Sequence, residues 1–307
     1  MKIAIAGATG FIGTRLVERL HETENQILVL TRDAKRARRV FPAEPFPNLE
    51  IVSYNPTQSG DWQQAIAGCD GVVNLAGAPI AEERWTPSVK EKILNSRKIG
   101  TQKIVEAIDS ANPKPSVLVN SSALGYYGTS ETATFDETSS SGDDFLAEVC
   151  REWEAEAQKV KAAGTRLVII RTGIVLGMGG ALGKMLTPFR LYGGGPLGSG
   201  RQWFSWIHRD DIVNLILQAL TRPDLEGVFN ATAPTPVRMA DLCETLGEAM
   251  NRPSWLPVPD FALQLLLGDG AKVVLEGQQV LPKRTLESGF EFQYPALKSA
   301  LEQILQS

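Results

Sequence analysis

The sequence predicts an α/β protein: a doubly wound parallel sheet with a small, mostly helical domain at its C-terminal end. Short apolar runs recur through the first two thirds of the chain without polar alternation, as strands buried on both faces require. Amphipathic stretches with helical spacing separate them, which places helices on both sides of the sheet. Glycines stand at the junctions where such a chain must turn sharply.

In chain order, Ile3 to Ala6 reads as the first strand, followed by a helix carrying Ile12, Leu16, Val17 and Leu20. The second strand covers about Ile27 to Thr31, the third Leu49 to Val52, and the fourth Gly71 to Leu75. Val89, Ile93, Ile104, Val105 and Ile108 give a helix from about Thr86 to Ser110. Val117 to Val119 form the core of the fifth strand, and Leu167 to Ile170 that of the sixth. Between them a helix runs from near Asp143 to about Ala163 and stops at Gly164. Residues 173–200 are glycine-rich and read as a long binding loop or lid. A strand around Trp203 to Ile207, a helix led by Asp210 and Asp211, a strand from Gly227 to Asn230 and a helix over Met239 to Met250 follow. Pro253, Pro257 and Pro259 then mark a boundary, giving domains of 1–250 and 251–307, the second built from small helices beside the cleft.

Charge and cysteine usage exclude several functions. The formal net charge of -4 gives no general attraction to nucleic acid or to an anionic membrane. Three scattered cysteines and two histidines fit neither a disulfide framework nor a metal site. No membrane span is expected, and a cytoplasmic location is the default for such a chain. The first strand leads straight into a glycine motif, so residues 1–20 are not expected to be a removable signal.

That motif is Gly7-Ala8-Thr9-Gly10-Phe11-Ile12-Gly13, directly after strand one and opening helix one. The first glycine permits the tight turn, the second a close approach of backbone to pyrophosphate, and the third close strand–helix packing. Free amides at the helix N-terminus favour the phosphates. The fold is therefore expected to be of the Rossmann type, with Gly7, Thr9, Gly10, Phe11, Ile12 and Gly13 around a dinucleotide. Strand two ends in Thr31 and meets Arg32, with Lys35 and Arg36 beyond, where an NAD(H) site would carry an acid. A guanidinium there engages a 2′-phosphate, so the cofactor is expected to be NADP(H); Asp33 is the competing acidic candidate. Leu75, Ala76 and Gly77, after strand four, would let backbone lie close to the adenosine ribose.

The GxxGxxG spacing resembles that of short-chain dehydrogenase/reductases, whose extended members often touch the adenine with a residue placed like Asp61. These enzymes use a serine, a tyrosine and a lysine four residues after the tyrosine. Ser122, at the end of strand five, is the serine candidate. The helix Asp144-Phe145-Leu146-Ala147-Glu148-Val149-Cys150-Arg151-Glu152-Trp153-Glu154 places Leu146 and Cys150, or in a slipped register Phe145 and Val149, where the tyrosine and lysine belong. Tyr127 and Arg84 are substitute proton-donor candidates, with packing as the alternative for Tyr127. His208 reads as a packing or capping residue before its helix.

GATGFIG, LAGAPI, RWTPSVKEKILNSRKIGT, SSALGYYG, RTGIVLGMGGAL, GGPLGSGRQWFSWIHRDDIV and the tail VLEGQQVLPKRTLESGFEFQYPALKSAL together resemble the atypical short-chain dehydrogenase/reductases of the "epimerase family" group, with their small C-terminal domain of unknown function. The resemblance spans essentially the whole chain. It implies NADP(H) binding, with Asn95 and Arg171 also on the cofactor side. It places residues 78–97 and the stretch around Ser199 to Phe204 on the substrate side, with Trp85, Arg97, Arg201 and Trp203 as pocket candidates. An unknown small-molecule substrate or effector is the expected partner, and monomer and homodimer both stay open. Three functions compete: an oxidoreductase with a nonstandard proton donor, an NADP(H)-sensing regulator linked to cell division, and, least favoured, a nucleotide-sugar epimerase.

Overall fold

The apolar runs pair as parallel strands in the computed structural model, which describes residues 1–306. Strands β1 (Lys2–Ala6), β2 (Gln26–Thr31), β3 (Leu49–Ser53), β4 (Gly71–Asn74), β5 (Val117–Ala123), β6 (Arg166–Thr172) and β7 (Gly227–Ala231) form one sheet in the order β7-β6-β5-β4-β1-β2-β3. Every pairing in it is parallel. The order reverses between β1 and β4, and such a reversal opens a crevice at the carboxyl ends of the strands.

Helices α1 (Phe11–Glu22), α2 (Ala34–Val40), α3 (Pro87–Ser110), α4 (Phe145–Gln158), α5 (Gly180–Arg190), α6 (Arg209–Thr221) and α7 (Met239–Met250) fill the connections. Leu16, Val17 and Leu20 of α1 and Ile212, Val213 and Ile216 of α6 bury one face of the sheet. Ile104, Val105 and Ile108 of α3, with Ala157 and Val160, bury the other. Local chemistry sets the boundaries. Thr86 accepts a hydrogen bond from the Val89 amide at 3.3 Å, with Pro87 opening α3. Asp144 caps α4 through the Ala147 amide at 2.8 Å. The α-helix expected to reach Ala163 ends at Gln158, and a 3-10 turn, Lys159–Ala163, carries the chain to left-handed Gly164.

The strand expected around Trp203 to Ile207 divides in two. Trp203–Phe204 pairs antiparallel with Val237–Arg238, whereas Trp206–His208 pairs parallel with Ile174–Leu176. Pairing with partners on both sides cannot be read from an apolar run alone.

Helices α8 (Asp260–Leu267), α9 (Lys272–Leu275), α10 (Lys283–Glu287) and α11 (Leu297–Gln306) complete the chain. Leu297, Ala300, Leu301 and Ile304 of α11 pack with Leu242 and Leu246 of α7 and with Leu182, Phe189, Phe204 and Trp206. The last helix thus shares its core with residues before 250. Asp211, fully buried on α6, accepts the backbone amides of Gln293 at 2.7 Å and Tyr294 at 3.1 Å and ties down the same segment.

His208 caps α6: its Nδ1 accepts the Asp210 amide at 3.1 Å, and Nε2 lies 2.9 Å from Gln303 on α11. Burial lowers its pKa from the usual 6.5, more than the Gln303 contact raises it. An imidazole that resists protonation in the fold but not in the unfolded chain gives stability that is complete above its unfolded pKa and lost as pH falls through the folded value. Melting temperature is therefore expected to fall more steeply below about pH 6.5 in the native chain than in His208→Gln. Parallel profiles for the two proteins would remove His208 as the cause.

Candidate active site and dinucleotide cleft

The phosphate turn is built by backbone approach. Gly7 leaves β1 at φ +85°, and a Cβ there would lie 2.8 Å from the Leu75 carbonyl carbon and 3.0 Å from the Ala76 nitrogen. A Cβ on Gly13 would overlap the Gly7 carbonyl oxygen and stand 2.7 Å from the Ala8 Cα. Only glycine fits either position. Gly10 begins α1 with no side-chain cap, which leaves the first amides of the helix for another acceptor. Phe11 turns its ring onto Gly177, Gly179 and Gly180, so the glycine-rich segment makes room for this aromatic.

At the other end of the cleft Arg32 is exposed. Asp33 caps α2 through the Arg36 amide at 2.9 Å, and Thr31 is occupied with the Asp33 backbone. Lys35 and Arg36 are exposed beside them, and Asp61 starts a 3-10 turn with its side chain in solvent. Tyr54, just after β3, stacks edge-on against Trp62 at 5.1 Å, and burial pushes its phenol up to about 12.

Arg97 of α3 lies against Gly77, just after β4, and against α4. A Cβ on Gly77 would come within 2.9 Å of its guanidinium carbon, and the group stacks 5.2 Å above Trp153. It donates to the Ile93 carbonyl at 3.1 Å and has no carboxylate within ion-pair distance among the described residues. Burial lowers its pKa. The Trp153 indole nitrogen beneath it is buried with no protein partner. A half-buried cation without a counter-ion, beside Gly77 at the carboxyl edge of the sheet, fits an anionic group. Asn95 instead faces Glu91 at 3.4 Å on its own helix.

Beyond the turn, β5, β6 and α4 hold a buried polar network. Glu154 accepts Ser122 Oγ at 2.7 Å and both Nε and a terminal nitrogen of Arg171 at 2.9 Å. Arg171 also donates to the Tyr127 hydroxyl at 3.0 Å, which donates to Asn230 on β7 at 2.7 Å. The guanidinium stacks 3.3 Å from the Tyr126 ring. Burial drives the Tyr127 phenol up to about 12 despite the Arg171 charge.

Beside the network lies a cavity of about 470 Å³. Its floor is Ala123, Leu146, Gly173 and Ile174; Trp85, Phe145 and Trp203 form aromatic walls, and Val273 and Gln278 close it from the C-terminal segment. Trp85 and Phe145 meet edge-on at 5.2 Å. Lys90 lies over both rings, 5.8 and 5.6 Å from their centres, and pairs with Asp269 at 2.9 Å.

These placements redistribute the expected site residues. Trp85 and Trp203 line the cavity. Ser122 and Tyr127 are turned into the buried network, so their hydroxyls do not face it. Arg84 packs on Gly268 and donates to the Leu265 carbonyl at 3.2 Å, outside the cavity lining. Arg201 is on the surface, 3.7 Å from Glu131, and Arg171 spends its side chain on Glu154 rather than on the cleft. Leu146 stands on the floor, and Cys150 hydrogen-bonds the Ala123 carbonyl at 3.6 Å with its thiol pushed up to about 11 by burial. Strand alternation explains the change at β5: Ser122 and Ala123 point to opposite faces, and Ala123 has the cavity side. Lys90, Ala123, the unpaired Arg97, and the wall from Lys272 to Gln278 complete the arrangement; only a three-dimensional view puts the last of these beside α3.

Residues 3–231 match the NAD dependent epimerase/dehydratase family. The chain belongs to that family. Residues 258–304 match DUF1731, a domain of unknown function, which gives the family fold its small C-terminal addition here. The epimerase family protein SDR39U1 homolog of Arabidopsis thaliana, described as chloroplastic, is 53% identical over 100% of this chain and 87% of its own length. The crystal structure of human SDR39U1 with NADPH superimposes with a TM-score of 0.88 at 35% identity, covering 100% of both chains. UDP-glucuronic acid 4-epimerase from Bacillus cereus shares the fold alone, with a TM-score of 0.81 at 17% identity. The chain is thus an atypical NAD(P)-binding member of the family, without tyrosine or lysine at Leu146 and Cys150. No helix among the described residues is long and apolar enough to cross a membrane, and no cluster of metal-ligating side chains occurs among them.

Proposed function

We propose that this protein is an NADPH-dependent oxidoreductase acting on a small carbonyl compound without the tyrosine–lysine pair. The observation that carries the reading is the aromatic cavity of about 470 Å³ at the carboxyl ends of β5 and β6, the edge of the sheet on which the glycine turn after β1 also stands. The backbone cradle at Gly7 and Gly13 and the unpaired Arg97 fit the pyrophosphate, and Arg32 fits the 2′-phosphate, with Asp33 withdrawn as a helix cap. The NADPH held by the human relative supports that choice of cofactor. Bound there, the dinucleotide would supply a hydride for a carbonyl carbon. The chain's own part is to exclude water with Trp85, Phe145 and Trp203 and to keep a proton near the carbonyl oxygen. Of the proton-bearing side chains lining the cavity, Lys90 is the one fixed by two aromatic rings and a carboxylate.

Arg32→Ala is expected to weaken NADPH binding about tenfold or more and to leave NADH nearly unchanged, since only NADPH carries the extra phosphate. Arg97→Met is expected to weaken both alike. Titration of each variant with both cofactors measures this; equal affinities for NADPH and NADH in the native chain would end the assignment of Arg32.

Turnover is tested by following NADPH oxidation over a panel of aromatic and aliphatic aldehydes and ketones. Saturable oxidation that drops at least tenfold in Lys90→Met is expected. The absence of acid or base at Leu146 and Cys150 favours a second reading, a sensor of NADP(H). Tight NADPH binding with no turnover across the panel would support the sensor and reject the enzyme.

A further inference from the structure

Resting on the oxidoreductase reading and narrowing it, we infer that the cavity accepts an uncharged compound with a flat, apolar body, and not a nucleoside diphosphate sugar. The interior decides this. Ala123, Leu146, Gly173 and Ile174 bring no charge to its floor, and its three aromatic walls offer ring faces and edges. No arginine lines it, so a diphosphate entering would lose water without a guanidinium to replace it.

The charged groups at the rim are mostly committed elsewhere. Lys90 holds Asp269 at 2.9 Å, Asp144 caps α4 at 2.8 Å, and Glu276 accepts the Thr129 hydroxyl at 2.8 Å. Lys272 makes no ion pair among the described residues, but it is exposed and stays hydrated. An anionic ligand would have to share the Lys90 ammonium with the Asp269 carboxylate, whose like charge opposes it, whereas a neutral aromatic ketone needs only the walls and one donor. The C-terminal segment selects in this way by closing the cavity with Val273 and Gln278, Gln278 itself being held by the Leu124 carbonyl at 2.7 Å.

Tryptophan fluorescence of the NADPH-loaded chain reports occupancy, because Trp85 and Trp203 are in the walls. Acetophenone, benzoate and UDP-glucose serve as the probes. Acetophenone is expected to give saturable quenching at least tenfold tighter than benzoate, and UDP-glucose none. Val273→Trp, at a lining residue that the C-terminal segment supplies, is expected to abolish the acetophenone response while NADPH affinity stays within twofold of the native value. Saturable binding of UDP-glucose, benzoate binding as tightly as acetophenone, or an unchanged acetophenone response in a Val273→Trp protein that still binds NADPH would each overturn the inference. Should Val273→Trp fail to bind NADPH, Ile80→Trp, at another lining residue, provides the same block. Because the readout is binding, acetophenone binding with no turnover of any compound in the carbonyl panel would reject the oxidoreductase reading and leave this one standing.

Discussion

Replacing Gly13 with alanine is expected to abolish measurable dinucleotide binding and to cost about 1–3 kcal/mol of stability, the range of a side chain forced into a filled space. The added methyl meets the Gly7 carbonyl oxygen and the Ala8 backbone, none of which can rotate away as a side-chain tip could. Relief requires α1 to withdraw from β1, and that withdrawal moves the Gly10 end of the helix, where free amides await the phosphates. Both losses should appear together: NADPH titration at least a hundredfold weaker, and a lower urea midpoint with an unchanged slope. Alanine at Gly68 is a fitting control, since a Cβ there meets nothing within 4 Å, although its φ of +78° adds local strain. Native-like NADPH affinity in Gly13→Ala would show that the turn is not the phosphate site.

Glu154→Leu is expected to destabilise the fold by about 3–5 kcal/mol, the cost of leaving a buried cation without its partner. Arg171 and Glu154 expose only 4% and 10% of their side chains, so water cannot replace the lost carboxylate. The same change strands the Ser122 hydroxyl, which has its hydrogen bond at 2.7 Å to that group. Adding Arg171→Met to Glu154→Leu is expected to recover much of the loss, because the orphaned charge is then gone. Chemical denaturation of the two single variants and the double variant measures this. A loss below about 1 kcal/mol in Glu154→Leu would mean that the network is more hydrated than its burial indicates.

The network also shows why the candidate site residues were hard to read. Ser121-Ser122 at the end of a strand invites the reading of a site serine, but a strand alternates its faces, and one position decides whether a hydroxyl meets substrate or core. Glu154, on the next helix, claims Ser122 and Arg171 together, a contact between segments far apart in the chain. Tyr127 joins it through Asn230 on β7. None of these partners carries a local signal. Lys90 and Arg97 belong to one helix, and of the two the sequence singled out Arg97 as a pocket candidate. Packing separates them: Arg97 turns toward Gly77 and the cofactor cleft, and Lys90 toward Trp85, Phe145 and the cavity.

Where a signal is local, it was legible. The parallel strands followed from unbroken apolar runs, the glycine turn from its spacing and place, and the capping role of His208 from its position before a helix. Backbone sterics and strand burial act over a few residues, so the amino-acid order alone determined the sheet, the dinucleotide turn at Gly7 to Gly13, and the missing tyrosine and lysine at Leu146 and Cys150. Tertiary structure alone decided that Ser122 and Tyr127 hydrogen-bond within the buried network, that Arg84 donates to the Leu265 carbonyl, and that Val273 and Gln278 line the same cavity as Ala123. Those outcomes depend on which distant groups satisfy a buried hydroxyl or charge, and burial exists only once the chain has closed on itself.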